Sequence, residues 1–198
     1  MFIAPEVPPP FFDDFADPIS GWGTASDPAY SMGYLNGEYQ ILIRQSPFSV
    51  PSYAPVQMEA DKVRITVKGR QVGNGDTAYG ILFGGSAAYA FMVSPLGYIT
   101  LWRYDPASAK WQAVRPWQTH SAVLKGDSVN VLTVERMGES VAFYVNQTPI
   151  YFTPAWRDEG PLTTVRTLGV LAVAYSSPVT CRFDDFEVRY LIRRASEE

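Results

Sequence analysis

From Glu38 to Tyr190, apolar side chains recur at every second position in short runs, and each run stops at Gly, Pro, Asn or Asp. A period of two places alternate side chains on opposite faces of an extended strand, so this pattern commits the chain to β structure. The predicted strands are 38–44, 56–68, 78–84, 88–94, 97–104, 110–115, 128–136, 140–145, 148–152, 167–175 and 179–190. No segment reads convincingly as a helix. The 16 prolines and 15 glycines are scattered between the runs rather than gathered in one linker. Many short strands without an internal boundary predict one domain, a sandwich or barrel. We place it at residues 12–190, after a proline-rich arm (1–11, with "PEVPPP" as extended polyproline) and before a charged tail (191–198).

Turn chemistry pairs some of these strands. In "FMVSPLGYITL", Pro95 suits the first central position of a type I turn and Gly97 the left-handed position that closes a three-residue loop. That register sets Phe91 opposite Leu101 and Val93 opposite Ile99, all on one face. Ala90, Met92, Tyr98, Thr100, Trp102 and Tyr104 fall on the other. A turn at Met137-Gly138 would set Val134 against Val141 and Leu132 against Phe143, and a second turn at Asn146-Gln147 would bring Phe143 to Ile150. Such two-faced strands belong to an antiparallel sheet with one side on a core.

The tetrapeptide FDDF occurs twice, at Phe12–Phe15 and Phe183–Phe186. Nothing around the copies matches at a fixed period, which argues against an internal repeat. Within the second copy the alternation changes phase: Cys181 and Phe183 share one set, and Phe186, Val188 and Tyr190 the other. A β-bulge or strand switch at Asp184-Asp185 is the simplest cause. The expected reading is that two terminal strands lie side by side and bury their phenylalanines. A structural calcium is the alternative, since paired Asp residues supply two or three of the six to eight oxygens that Ca²⁺ takes, although no D-x-D-x-D-G loop supports it. No other cofactor is expected.

The net charge of −4 argues against a nucleic-acid partner or an anionic membrane surface, which would favour a basic face. Cys181 is the only cysteine, so no intrachain disulfide forms, and it is expected to pack as a small apolar residue. No stretch approaches the roughly 20 apolar residues of a membrane span, and "MFIAPEVPPP" lacks the basic start and apolar run of a signal peptide, so the expectation is either a cytoplasmic protein or the soluble part of something longer or processed.

The pieces "DDFADPISGW" (13–22), "GEYQI" (37–41), "AYGILF" (78–83), "YAFMVSPLGYITLWRYD" (89–105), Trp111, Trp117, "VNVLTVERMGESVAFYVNQTPI" (129–150), "LGVLAVAY" (168–175) and "CRFDDFEV" (181–188) cover most of residues 12–190. In order and spacing they resemble the concanavalin A-like lectin/glucanase superfamily, in the form found in bacterial cell-surface, lipoprotein and sensor modules. The resemblance implies an all-β fold, an antiparallel two-sheet jelly-roll sandwich with first and last strands adjacent. It also implies a glycan ligand and an extracytoplasmic location at a cell surface or membrane, with any anchor outside this chain. Two departures stand out. The hairpin turn is Asn146-Gln147 where Asn-Gly is usual, and "GGSAAY" replaces polar, often charged residues after "GILF".

Glucanases of this superfamily carry Glu-x-Asp-x-x-Glu on one strand, which aligns carboxylates on one face, two of them about 5 Å apart in a retaining mechanism. No such run exists here. Glu59 and Asp61 come closest, and no third carboxylate follows. His120 has no partner motif and is expected to be a surface residue. Zinc spacing and a phosphate-binding Gly-rich loop are absent. These absences lead to an expectation of no enzymatic turnover. The candidate site is instead the ring row Tyr98, Trp102 and Tyr104 with Trp111 at its edge, binding a glycan or a protein partner through one sheet face. The alternatives are a structural subunit of a larger surface or membrane complex and, more weakly, a keto-disaccharide-type glycoside hydrolase.

Overall fold

The computed structural model describes residues 9–56, 60–85, 87–138, 140–152, 167–176 and 178–191. Among them every regular element is a strand: β1 Phe11–Asp13, β2 Ala25–Ser26, β3 Tyr30–Leu35, β4 Glu38–Ile43, β5 Phe48–Tyr53, β6 Lys62–Val72, β7 Thr77–Gly84, β8 Ala88–Ser94, β9 Tyr98–Asp105, β10 Lys110–Thr119, β11 Asn130–Met137, β12 Ser140–Val145, β13 Thr148–Ile150, β14 Thr167–Ala174 and β15 Val179–Tyr190. They form two antiparallel sheets. One has nine strands in the order β13-β12-β11-β6-β15-β4-β3-β2, with β1 also on β15; the other has six, β10-β9-β8-β7-β14-β5. This is the two-sheet sandwich that the resemblance implies, and one of the two architectures that the alternation allows.

The core lies between the sheets. β6 turns Val63, Ile65 and Val67 inward and Arg64, Thr66 and Lys68 outward. From the other sheet come Tyr79, Ile81, Phe83, Phe91, Val93, Ile99 and Leu101. The β8–β9 register is the one read from the turn, Phe91 with Leu101 and Val93 with Ile99, and Gly97 takes φ +94°. Cys181 is fully buried beside the Thr77 hydroxyl, and burial pushes its thiol up to about 12.

One hairpin differs from expectation. Val134 pairs with Phe143 and Leu132 with Val145, because Met137 stays in the ladder opposite Ser140 and Lys62. The backbone N–H of Gly138 then donates to Asp61 O at 2.8 Å, so the turn begins one residue later than predicted. The faces survive, since the offset is an even number of positions. Asn146 and Gln147 form the next turn with φ +50° and +66°. Hydrogen bonds of the Asn146 side chain fix this turn. The Asn146 side chain accepts from Val131 N and donates to Ala122 O and to Asn130 Oδ1. Asn130, fully buried, donates in turn to Tyr79 Oη and Leu124 O and accepts from Leu124 N.

The sequence reading anticipates β1 only as a terminal strand beside the last one, and misses β2, β3 and β5. β5 contains Pro51, which lacks the N–H of a central strand and survives because β5 is an edge. Residues 57–59 of the expected strand 56–68 lie outside the described residues, as does most of the tail.

The two FDDF copies meet. Phe11, Phe12 and Asp13 pair with Val188, Glu187 and Phe186. β4 occupies the same edge of β15 over Val179–Phe183, so two strands share that edge end to end. At the changeover the register against β6 shifts between Asp184 and Glu187, with Asp185 at φ +47°. This bulge turns both Phe183 and Phe186 inward. Phe15 and Phe186 both pack on Trp22, at ring centroids 5.1 and 5.0 Å away. Phe12 does not join them: it is 55% exposed, because the short β1 turns Phe11 and Asp13 to the core side. The Asp13 carboxylate, buried, accepts from Phe15 N, Ser20 Oγ and Trp22 Nε1.

Two substitutions test this packing. A Cβ on Gly80 would lie 1.9 Å from the Phe91 carbonyl oxygen, so Gly80→Ala should lower unfolding stability by about 3 kcal/mol in denaturant titrations. Asn130→Ala strips partners from Tyr79, Leu124 and Asn146 and should cost about 3 kcal/mol, whereas Tyr53→Ala on the exposed edge should be nearly neutral.

Candidate functional site

The two outer faces differ in chemistry. That of the nine-stranded sheet is charged and largely self-paired. Arg70 and Arg182 both reach Glu38, at 2.8 and 3.0 Å, Arg64 pairs with Glu135, and Lys68 with Asp185. Burial raises the Glu38 carboxyl, but the two guanidiniums outweigh it and hold the group below its usual range. A shallow depression of about 210 Å³ lies among these ion pairs and is lined also by Asp184, whose carboxyl is pushed up from its usual value by burial.

The outer face of the six-stranded sheet is apolar. Ala78, Ala90, Met92 and Leu171 are fully buried there and Val173 nearly so, with Trp102, Trp111 and Trp117 packed against them. The register explains the layer. Ala90 stands opposite Trp102, and Met92 opposite Thr100, whose hydroxyl donates to Arg115 O at 2.7 Å. Small residues beside an indole leave room, and neighbouring indoles fill it: Trp102 meets Trp117 edge-on at 6.5 Å and Tyr175 at 6.4 Å. The Trp102 Nε1–H is buried and makes no hydrogen bond.

At one end of this face lies a cleft of about 300 Å³ lined by Asp76, Ser94, Leu96, Tyr98, Trp117 and Tyr175. Each residue sits at a strand end. Asp76 precedes β7, Ser94 ends β8, Leu96 occupies the turn, Tyr98 opens β9, Trp117 is near the end of β10 and Tyr175 follows β14. Antiparallel pairing brings all these ends together. Tyr175 N and Ser176 N donate to the Asp76 carbonyl, and Asp76 N donates to Ser176 Oγ, which fixes the rim. The Asp76 side chain is exposed. Ser94 Oγ accepts from Leu96 N, so its own proton can still be donated. Burial pushes the Tyr175 phenol up to about 12, against the effect of its hydrogen bond from Trp117.

Of the four residues singled out in the sequence, Tyr98 lines the cleft and is 37% exposed. Trp102 packs in the apolar layer behind it. Tyr104 and Trp111 pair at 5.4 Å toward the opposite end of β9, away from the cleft. Asp76, Trp117 and Tyr175 were missed. Only their meeting at strand ends groups them, and single-strand alternation carries no such signal. His120 donates its backbone N–H to Gly97 O and accepts at Nδ1 from Ala122 N, holding the loop beside the β8–β9 turn. Asp61 is exposed, and Glu59 lies outside the described residues.

No protein-family model matches the chain, and no curated protein matches it in sequence. Solved structures do match in fold. A galectin-like protein of unknown function from Bacillus subtilis covers 93% of this chain and 96% of its own, at 14% identity and TM-score 0.65. The laminarinase catalytic domain of Thermotoga maritima covers 95% and 99%, at 11% identity and TM-score 0.62. A structure described for endo-acting O-glycanases with which human gut microbiota initiate mucin breakdown covers 92% and 99%, at 13% identity and TM-score 0.61. The architecture is therefore the galectin-like and glucanase jelly roll, in agreement with the concanavalin A-like resemblance.

These likenesses overturn the expectation of no turnover. It rested on the absence of one carboxylate run, yet the fold that the chain adopts is one that endo-acting glycosidases use. A missing motif on one strand does not decide what a fold can do, because function lies in sites placed on the fold.

Burial of the phenols gives a pH signature. Tyr39 and Tyr175 ionise near 12 rather than at 10.0. A raised pKa favours the neutral native form, so this contribution is complete below pH 10 and is lost as pH rises toward 12. Phenolate absorbance should show several late-titrating groups and one fewer in Tyr175→Phe, with a smaller loss of stability across the same pH window in that variant.

Proposed function

We propose that this chain is a glycan-recognising module and that its ligand is held at the strand-end cleft of the six-stranded sheet. The observation that carries the reading is the company the rings keep. Tyr98, Trp117 and Tyr175 line one cleft with the Asp76 carboxylate and the Ser94 hydroxyl. Sugars present apolar C–H faces to aromatic rings and pairs of hydroxyls to a carboxylate, so rings plus one acceptor and one small donor match both sides of such a ligand. Several proteins of the same fold are described as acting on glycans, which supports the choice of ligand class.

The charged face opposite is a poorer candidate. There Arg70 and Arg182 are already held by Glu38, and a ligand that used them would have to break those pairs. The apolar layer under Trp102 contributes indirectly, by fixing the Trp117 and Tyr175 rings edge-on to it and to each other.

The test is a glycan array followed by calorimetry on whichever structures bind. Trp117→Ala, confirmed to be folded by circular dichroism, should lose about 2 kcal/mol of binding, as a central ring of an interface does. Tyr104→Ala, at the far end of the face, should bind normally. Full binding by the folded Trp117→Ala protein would move the site elsewhere.

A further inference from the structure

We infer that the cleft takes the terminal residue of an uncharged glycan chain, entering end-on, and that no glycan chain runs across the sheet. The inference rests on the glycan reading above and adds the mode and charge of the ligand.

The mode follows from what fills the sheet. A polymer lying along a jelly-roll face needs an open trough through its middle. Here the middle of the face is closed: Ala78, Ala90, Met92, Thr100 and Leu171 have no exposed surface, and Trp102 and Trp117 stand over that row. Among the described residues, an open cleft lies at the strand ends of this face, rimmed by the β8–β9 turn on one side and the β14 end on the other. Its volume of about 300 Å³ is at the lower limit for a small-molecule site. That accommodates a terminal sugar and little of its neighbour.

The charge follows from the lining. Asp76 is the one ionisable carboxylate among the described residues that line the cleft, and none of those residues is Lys or Arg. A sialic acid, uronic acid or sulfate ester would bring a second negative charge beside Asp76, and none of the described lining residues is a cation that would compensate it. An uncharged terminus instead offers hydroxyl protons to the carboxylate.

The experiment uses the full chain with laminari-, cello- and galacto-oligosaccharide series, each extended from the methyl glycoside of one sugar to the longest soluble member. For the series that binds, the dissociation constant per molecule should stay flat with chain length, and each chain should hold one protein at its end. The same oligosaccharide carrying a terminal sialic acid should bind at least tenfold more weakly, about 1.4 kcal/mol, and Asp76→Asn should narrow that gap. Binding capacity that grows with chain length, or equal binding of the sialylated form, overturns the inference while leaving glycan recognition standing. No binding to any glycan on the array overturns both.

Discussion

A single extra residue in β15 organises the sandwich. The bulge between Asp184 and Glu187 shifts the pleat once, so Cys181 and Phe183 before it and Phe186 and Val188 after it all face the same core. Without the shift, one of the two phenylalanines would point to solvent. The same point is where β15 exchanges one edge partner, β4, for another, β1. Trp22 then locks the closure, with Phe15 and Phe186 on its ring and Asp13 on its N–H. A buried carboxylate with three donors is strongly held only while all three persist, so the N-terminal strand, the Trp22 loop and the last strand are coupled.

The six-stranded sheet is unusual in burying both faces. Its inner face meets the other sheet; its outer face carries a second apolar layer capped by indoles. Gly80 faces Leu171 across β7 and β14, and Leu82 faces Gly169, so each bulky side chain has a bare backbone beside it. This alternation lets the layer close tightly and leaves the strand ends as the accessible part of the sheet.

Much of the fold was legible from alternation and turns. Pro95 and Gly97 gave the β8–β9 register, and the phase change at Asp184-Asp185 gave the bulge. What escaped was set by tertiary context. Whether the β11–β12 turn starts at Met137 or Gly138 is decided by the ladder to Lys62 and Asp61, not by the turn residues. Strands β3 and β5 were hidden by Gly33, Pro47 and Pro51, which an edge or near-edge position tolerates. The ring face was visible as an alternation on β9, but Tyr98 and Tyr104 lie at opposite ends of that strand in different surroundings. Trp117 lies on a strand whose register against β9 shifts twice, which breaks the period on which such a reading depends.

Those irregular edges have a consequence for crowded settings. Of the six-stranded sheet's two rims, β5 lacks an amide hydrogen at Pro51, while β10 is broken by register shifts on either side of Arg115 and lacks one at Pro116. Neither presents the long regular row of donors and acceptors on which a strand from a neighbouring molecule would propagate. Copies packed side by side would therefore resist zippering into fibres through this sheet, even at high local concentration.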